Sequence, residues 1–144
     1  MRVADILRQK GDEVATIASA ATLAEAAGVL SVRRIGALVV SDDGRSIDGI
    51  LSERDIVRQL AEWGADALTT PVREAMTADV RTCSRGDSVD ALMAIMTDHR
   101  IRHLPVAEEG RLSGLVSIGD VVKRRVEQLE VETQQLTEYI QTGR

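Results

Sequence analysis

One seven-residue pattern occurs twice in the chain. The segment Gly49-Ile50-Leu51-Ser52-Glu53-Arg54-Asp55 is followed 65 positions later by Gly114-Leu115-Val116-Ser117-Ile118-Gly119-Asp120. Each copy consists of an apolar strand end, a serine, two further residues and an aspartate at the start of a predicted helix. An internal repeat constrains the fold more than composition does, because each copy predicts the same supersecondary unit.

The flanking sequence repeats in the same register. At an offset of 66 residues, the apolar positions of one helix recur in a second helix with i, i+3, i+4, i+7 spacing: Leu23, Ala26, Ala27 and Leu30 become Val89, Leu92, Met93 and Met96. Changes of offset fall in predicted turns, with one extra residue near Ser46 and three near Lys10 to Glu13. The sequence therefore predicts one unit built twice, over residues 1–64 and 70–127.

Local signals predict the elements of each unit. Thr22 and Glu25 form a capping-box pattern before a helix, and the apolar run at 37–40 predicts a strand covered on both faces. The turn at 42–45 leads into a second strand and then into the helix after Ser52. We therefore predict an α/β (α+β) fold of two βαββα units, each preceded by a short helix.

The final helix is predicted to run from Ile118 to about Gln141, so residues 128–144 form a helical extension. Six positions on it are spaced 4-3-4-3-4, and five of them are apolar: Val122, Val126, Leu129, Leu136 and Ile140, with Thr133 interrupting the seam. This spacing is typical of a short coiled coil. Packing on its own unit and a homodimer contact both account for the seam.

The composition of the chain argues against several functional classes. A net charge of −5, no Phe, one Trp and one Tyr disfavour a nucleic-acid interface, which needs basic surface and stacking aromatics. No segment has the ~18 apolar residues of a membrane span, and the N-terminus lacks a signal-peptide core. A single cysteine, Cys83, suits a reducing compartment. We expect a cytoplasmic protein.

The repeated motif has chemistry suited to a phosphorylated ribose. A strand that turns into a helix presents backbone N–H groups and the positive end of the helix dipole to an anion. Ser52 and Ser117 can donate to phosphate, and Asp55 and Asp120 can accept from two vicinal hydroxyls. Arg54 adds a cation where the second copy has Gly119. The alternative is that Ser-x-x-Asp only caps the helix and binds nothing.

The joint order of these motifs resembles tandem cystathionine-β-synthase (CBS) domains, also called a Bateman module. The residues that carry the resemblance are Gly-Ala-Leu-Val-Val at 36–40 and Arg-His-Leu-Pro-Val at 102–106, each followed by Gly-x-x-Ser-x-x-Asp. It covers residues 1 to about 127. It implies two repeats packed with pseudo-two-fold symmetry and clefts that bind AMP, ADP or ATP, or less commonly NAD(H) or S-adenosylmethionine.

The resemblance also implies which residues contact the ligand. The ribose would lie on Asp55 and Asp120, with phosphate near Ser52, Arg54 and Ser117; Gly119, which lacks a side chain, is also a predicted site residue. The remaining contacts would come from strand residues Thr16, Ile17, Ala37, Leu38, Thr82, Cys83, Arg102, His103, Leu104 and Pro105. No catalytic residue and no metal site is expected, because His99 and His103 lack a third ligand and no nucleophile has a base beside it.

We therefore expect a non-catalytic regulatory or energy-sensing module that fills this chain. It would bind an adenine nucleotide, require no cofactor, form a homodimer and regulate an unidentified protein. The alternative is a structural or scaffolding homodimer with degenerate ligand pockets.

Overall fold

A computed structural model of the chain describes residues 1–142. The helices are α1 Val3–Lys10, α2 Leu23–Arg33, α3 Glu53–Trp63, α4 Val72–Ala75, α5 Val89–His99 and α6 Ile118–Gln141. The strands are β1 Thr16–Ile17, β2 Ala37–Val40, β3 Gly49–Ser52, β4 His103–Glu108 and β5 Arg111–Ser117. The predicted mixed fold of two repeats with a long final helix is confirmed.

Each repeat contains a small sheet. In the first repeat (residues 1–64), β1 pairs parallel with β2, and β2 pairs antiparallel with β3. In the second repeat (residues 70–127), β4 and β5 form an antiparallel pair with a bulge between Val106 and Ala107. The segment that corresponds to β1 makes only a single parallel bridge, between Cys83 and Val106.

A proline explains why this predicted strand is reduced to one bridge. In the first repeat, Val39 N–H donates to the carbonyl of Ala15 at 3.3 Å, which helps to join β1 to β2. The residue that corresponds to Val39 is Pro105, which has no N–H to donate. The flanking bond from Ala107 N–H to Cys83 O, 2.8 Å long, is retained. The second repeat therefore keeps the extended segment but loses a ladder bond.

The repeats exchange their N-terminal helices. The core of the second repeat contains Val3, Ile6 and Leu7 of α1, packed with Cys83, Val89, Leu92, Met96, Leu104, Val106, Val116 and Val121. Reciprocally, Val72 of α4 joins the core of the first repeat, formed by Ile17, Leu23, Ala26, Leu30, Leu38, Val40, Leu51 and Ile56. Neither repeat completes its core with its own sequence alone.

Backbone hydrogen bonds make this exchange symmetric. Val3 N–H donates to Asp87 O at 2.9 Å, and the corresponding Val72 N–H donates to Ala21 O at 2.7 Å. In the reverse direction, Val89 N–H donates to Met1 O and Leu23 N–H donates to Thr70 O, at 3.0 and 2.9 Å. These pairs follow the offsets of the sequence repeat, as the predicted pseudo-two-fold relation requires.

Two glycines allow the exchanged helices to approach the sheets closely. A Cβ atom at Gly114 would lie 2.9 Å from the side chain of Leu7 in α1. At the corresponding Gly49 it would lie 2.5 Å from Met76 Sδ and 2.9 Å from the carbonyl of Thr77. At Gly49 the backbone carbonyl leaves no room for a side chain, whereas at Gly114 the buried end of Leu7 would have to shift.

Most predicted boundaries agree with the structure to within a few residues. The exceptions are the first helix, which the sequence predicts over Val3 to Leu7 and which continues to Lys10, and the linker predicted over Ala65 to Thr70, where a 3-10 helix spans Gly64–Thr69. Gly11 and Gly64 follow α1 and α3 with positive φ angles of 97° and 61°. Among residues 1–142, no helix combines the length and apolar character needed to cross a membrane.

Candidate functional site

Both Ser-x-x-Asp motifs cap the helices that they open. Ser52 N–H donates to Asp55 Oδ2 at 2.9 Å, and Asp55 N–H donates to Ser52 Oγ at 3.3 Å. Ser117 and Asp120 form the same reciprocal pair at 2.9 and 3.2 Å. The capping geometry of the alternative interpretation is therefore present in both repeats, and ligand binding has to use the atoms that remain.

The helix amides are less available than the sequence pattern indicates. The first N–H of α3, on Glu53, donates to Gly36 O at 2.9 Å, and that of α6, on Ile118, donates to Arg102 O at 2.8 Å. The third N–H of each helix is used by the capping serine. An anion at either helix end would therefore meet the second amide, that of Arg54 or Gly119.

One large cleft, of about 890 Å³, opens next to Asp120. It lies between the repeats, because its walls include residues 10–15 and 33–37 of the first repeat with His103, Leu115, Ser117 and Asp120 of the second. Four of the predicted ligand residues line it: Ala37, His103, Ser117 and Asp120. A molecule in this cleft contacts both repeats at once.

Asp120 is a partly buried carboxylate held in its ionised form. Burial alone would raise its pKa, but hydrogen bonds from the Lys10 ammonium and the Ser117 backbone outweigh burial and hold the pKa below its usual value. Both bonds end on Oδ2, at 2.5 Å from Lys10 Nζ and 2.9 Å from Ser117 N. Oδ1 accepts no hydrogen bond from any other residue within 1–142, so it is available to a ligand hydroxyl.

His103 contributes a neutral imidazole to the same cleft. Burial, assisted by the positive charge of Lys10, lowers its pKa and outweighs the opposing effect of Asp120 and Glu53. A Cβ atom at Gly36 would lie 3.5 Å from the ring of His103 and from Glu53 Oε1, which is ordinary contact, so both groups border Gly36. A neutral imidazole can donate one hydrogen bond and accept another, as recognition of a base edge or hydroxyl requires.

The surroundings of Asp55 differ from those of Asp120. Its side chain is 11% exposed, against 25% for Asp120, and its cation is Arg58 of its own helix at 3.6 Å. Nearby, Thr77 and Ile50 exchange two backbone hydrogen bonds of 3.0 Å, which hold the segment after α4 against β3. The two motifs are therefore inequivalent, which agrees with the sequence difference between Arg54 in the first copy and Gly119 in the second.

The other predicted site residues fall into three groups. Arg54 and Arg102 line a separate surface cleft of about 540 Å³ together with Arg100. Five residues are buried and lie away from the large cleft: Ile17, Leu38, Cys83, Leu104 and Pro105. Burial raises the pKa of the Cys83 thiol to about 12, so it stays protonated. Thr16, Thr82 and Gly119 do not line the large cleft either.

Sequence reasoning missed Lys10 and the segment from Glu13 to Ala15, which line the cleft. Val14 and Ala15 precede β1 in the extended segment, whose later residues Thr16 and Ile17 are the ligand contacts that the family resemblance implies. The first repeat has three extra residues near Lys10 to Glu13, and this insertion is the sequence feature that could have identified the segment. No group of three or more potential metal ligands occurs among residues 1–142.

Comparison with known proteins places these observations in a family. A family model described as the CBS domain matches residues 3–62 and again 72–127. The CBS domain-containing protein CBSX3, mitochondrial, from Arabidopsis thaliana is 37% identical over 126 residues. That alignment covers 85% of this chain and 61% of the Arabidopsis protein, so this chain spans less than two thirds of that relative.

Solved structures agree with the family match. The CBS-domain containing protein ATU1752 from Agrobacterium tumefaciens superposes with a TM-score of 0.83 at 47% identity, covering 86% of this chain and 92% of that one. The CBS domain protein PAE2072 from Pyrobaculum aerophilum, complexed with AMP, has a TM-score of 0.79 at 29% identity. The match covers 92% of this chain and 99% of that one. The CBS domain pair of protein MJ0100, in complex with 5′-methylthioadenosine and S-adenosyl-L-methionine, superposes with a TM-score of 0.79 at 26% identity. The match covers 89% of this chain and 98% of that one.

Proposed function

The chain belongs to the CBS-domain family, with two CBS domains in tandem, and we propose that it is a non-catalytic regulatory protein that binds an adenosine-containing ligand. AMP, ADP and ATP are the favoured ligands, with NAD(H) and S-adenosylmethionine as less favoured members of the same class. Support comes from two structural relatives of similar fold, one bound to AMP and one to 5′-methylthioadenosine and S-adenosylmethionine.

The observation that carries the proposal is the cleft beside Asp120. It combines an ionised carboxylate, a serine hydroxyl and a neutral imidazole within one space of about 890 Å³. The ribose hydroxyls would donate to Asp120, whose Oδ1 is available, and the phosphate would lie near Ser117. The base would pack between the chain at Ala37 and the His103 imidazole, since the cleft lining contains no Phe, Tyr or Trp.

The same cleft suggests how binding would be communicated. A ligand in it contacts the first repeat through residues 10–15 and 33–37 and the second through His103 and Asp120. Such a ligand favours the relative placement of the repeats in which both sets of contacts form. A partner protein that distinguishes these placements would sense the ligand, because differential affinity couples the two binding events.

Thermal unfolding with and without nucleotide tests the proposal. At 100 times its dissociation constant, a ligand adds about 2.7 kcal/mol to the free energy of unfolding, which raises the midpoint by roughly 5–10 °C for a chain of this length. Asp120→Asn keeps an oxygen for the helix cap but removes the charge, so we expect roughly 10- to 100-fold weaker binding.

Asp55→Asn is the matched control, because it makes the same change in the other repeat at the less exposed motif. We expect it to retain most of the shift. A folded wild-type protein that shifts with none of AMP, ADP, ATP, NAD(H) or S-adenosylmethionine would exclude the proposed function for this panel. An effect of Asp55→Asn larger than that of Asp120→Asn would assign the ligand to the other motif.

A second candidate function, a structural or scaffolding homodimer, is favoured by the exposed seam of α6. Its apolar side chains remain exposed within residues 1–142: Val122, Val126, Leu129, Leu136 and Ile140. A second copy that aligned its own seam would remove these side chains from water. This surface is separate from the large cleft, so the protein could both dimerise and bind a ligand.

Removal of residues 128–144 separates the two functions. We expect the truncated protein to change from dimer to monomer, as measured by light scattering after size exclusion. The nucleotide-induced thermal shift should persist, because the cleft is built from residues 10–120. An unchanged mass would show that the seam is not the dimer contact. Loss of dimerisation and binding together would show that the cleft depends on the dimer.

A further inference from the structure

Lys10 is brought into the ligand cleft by the exchanged helix. It is the last residue of α1, and its ammonium lies 2.5 Å from Asp120 Oδ2, 110 residues away in the chain. The two side chains are 32% and 25% exposed, so the ion pair is partly shielded from water. The Asp120 carboxylate, which is proposed to hold the ribose, is therefore already paired with a cation of the protein itself.

This cation has no counterpart at the other motif. Helix α1 has eight residues and α4 has four, so Lys10 stands in a helical turn that the second repeat lacks. After Ala75 the chain leaves the helix, and Thr77 pairs with Ile50. Arg58, which faces Asp55, belongs to the same helix as Asp55 and is 67% exposed. Of the two motif aspartates, Asp120 is paired with a cation from the helix of the other repeat, whereas Asp55 is paired with a cation of its own helix.

The charges around the cleft leave Lys10 dependent on Asp120. The acidic groups that line the cleft are Asp12, Glu13 and Asp120, and Asp12 is engaged by Arg85 at 3.2 Å. Ribose hydroxyls that donate to Oδ1 of Asp120 draw on the same negative charge that attracts Lys10, so the partly buried ammonium loses part of its electrostatic stabilisation. A neutral nucleoside offers no replacement, whereas a phosphate oxygen restores a charge-assisted bond.

We propose that Lys10 is the specificity-determining residue of this cleft and selects phosphorylated adenosine ligands over uncharged ones. In the free protein it pairs with Asp120, and in the complex it turns to the ligand phosphate while the ribose takes the carboxylate. The inference rests on the proposed function, since it presupposes an adenosine ligand at Asp120. Arg33 and Arg34 line the same cleft and add positive charge at its exposed edge.

Titration calorimetry with AMP, adenosine and 5′-methylthioadenosine tests this selectivity. We expect the wild-type protein to bind AMP at least tenfold more tightly than either neutral ligand. Lys10→Met keeps the length of the side chain and removes its charge, so AMP binding should weaken about tenfold or more while adenosine binding stays equal or improves. Lys10→Arg should restore most of the preference, because it restores the cation.

Lys123→Met is the matched control, since Lys123 is the other lysine of the chain and lies on exposed α6 outside the cleft. It should bind like the wild type. A wild-type protein that binds AMP and adenosine equally, or a Lys10→Met variant that weakens both equally or neither, would overturn the role of Lys10 and leave the proposed function intact. Absence of binding by all three ligands to the wild type would overturn both.

Discussion

Replacing Ile6 by alanine is expected to lower the free energy of unfolding by about 2–5 kcal/mol. Ile6 is completely buried, and it packs in the core of the second repeat although it belongs to the first. Its truncation leaves a cavity in a core that the exchanged helix completes. The measurement is urea-induced unfolding, with the slope of the transition compared between variant and wild type.

An exposed apolar residue provides the control for Ile6. Val32 lies on α2 with 84% of its side chain exposed, so Val32→Ala should change stability by less than about 0.5 kcal/mol. Because each core contains a helix from the other repeat, both repeats should unfold in one transition in the Ile6→Ala variant. A variant in which the second repeat melts separately while the first stays folded would contradict the reciprocal packing.

Replacing Leu38 by alanine is also expected to cost about 2–5 kcal/mol of stability. The family resemblance implied a ligand contact at Leu38, but its side chain is fully buried in the core of the first repeat. The dissociation constant for AMP, measured well below the unfolding midpoint, should therefore change little. Thermal unfolding and calorimetry on the same variant separate the two roles.

Val57→Ala is the comparison for Leu38, because Val57 is an apolar residue exposed on α3 of the same repeat. It should alter neither stability nor binding appreciably. If Leu38→Ala kept wild-type stability and lost AMP binding, the side chain would act in the ligand site and the core assignment would be wrong. Equal loss of both at low temperature would indicate that the cleft collapses when this core is disturbed.

Local sequence patterns predicted the elements well because they are set by local physics. The capping pair Thr22 and Glu25 makes both of its bonds, at 3.2 and 3.3 Å, and helix α6 begins and ends as predicted. The spacing of apolar residues identified the faces that are buried. The repeat itself predicted two related units, because equal sequences in equal contexts fold alike.

Local patterns do not show which residues that are far apart in the sequence come together in the fold. All four residues of β2 are buried, so no alternation showed that Ala37 reaches the cleft while Leu38 faces the core. The pairing of Lys10 with Asp120 spans 110 residues and depends on the exchange of α1. The effect of Pro105 could not be predicted either. Its missing N–H matters because the corresponding Val39 N–H donates a bond that joins two strands.

The reciprocal packing of α1 and α4 has a consequence for how such a chain could arise. A gene for one repeat would encode a protein with an incomplete core, which two identical subunits could complete by lending each other their first helix. Duplication and fusion through the linker convert that association into an intramolecular one, at an effective concentration that dilution cannot reduce. Once joined, the halves no longer have to match. One could lengthen its first helix to Lys10 while the other acquired Pro105, and a symmetric ancestor could become a protein with two different clefts.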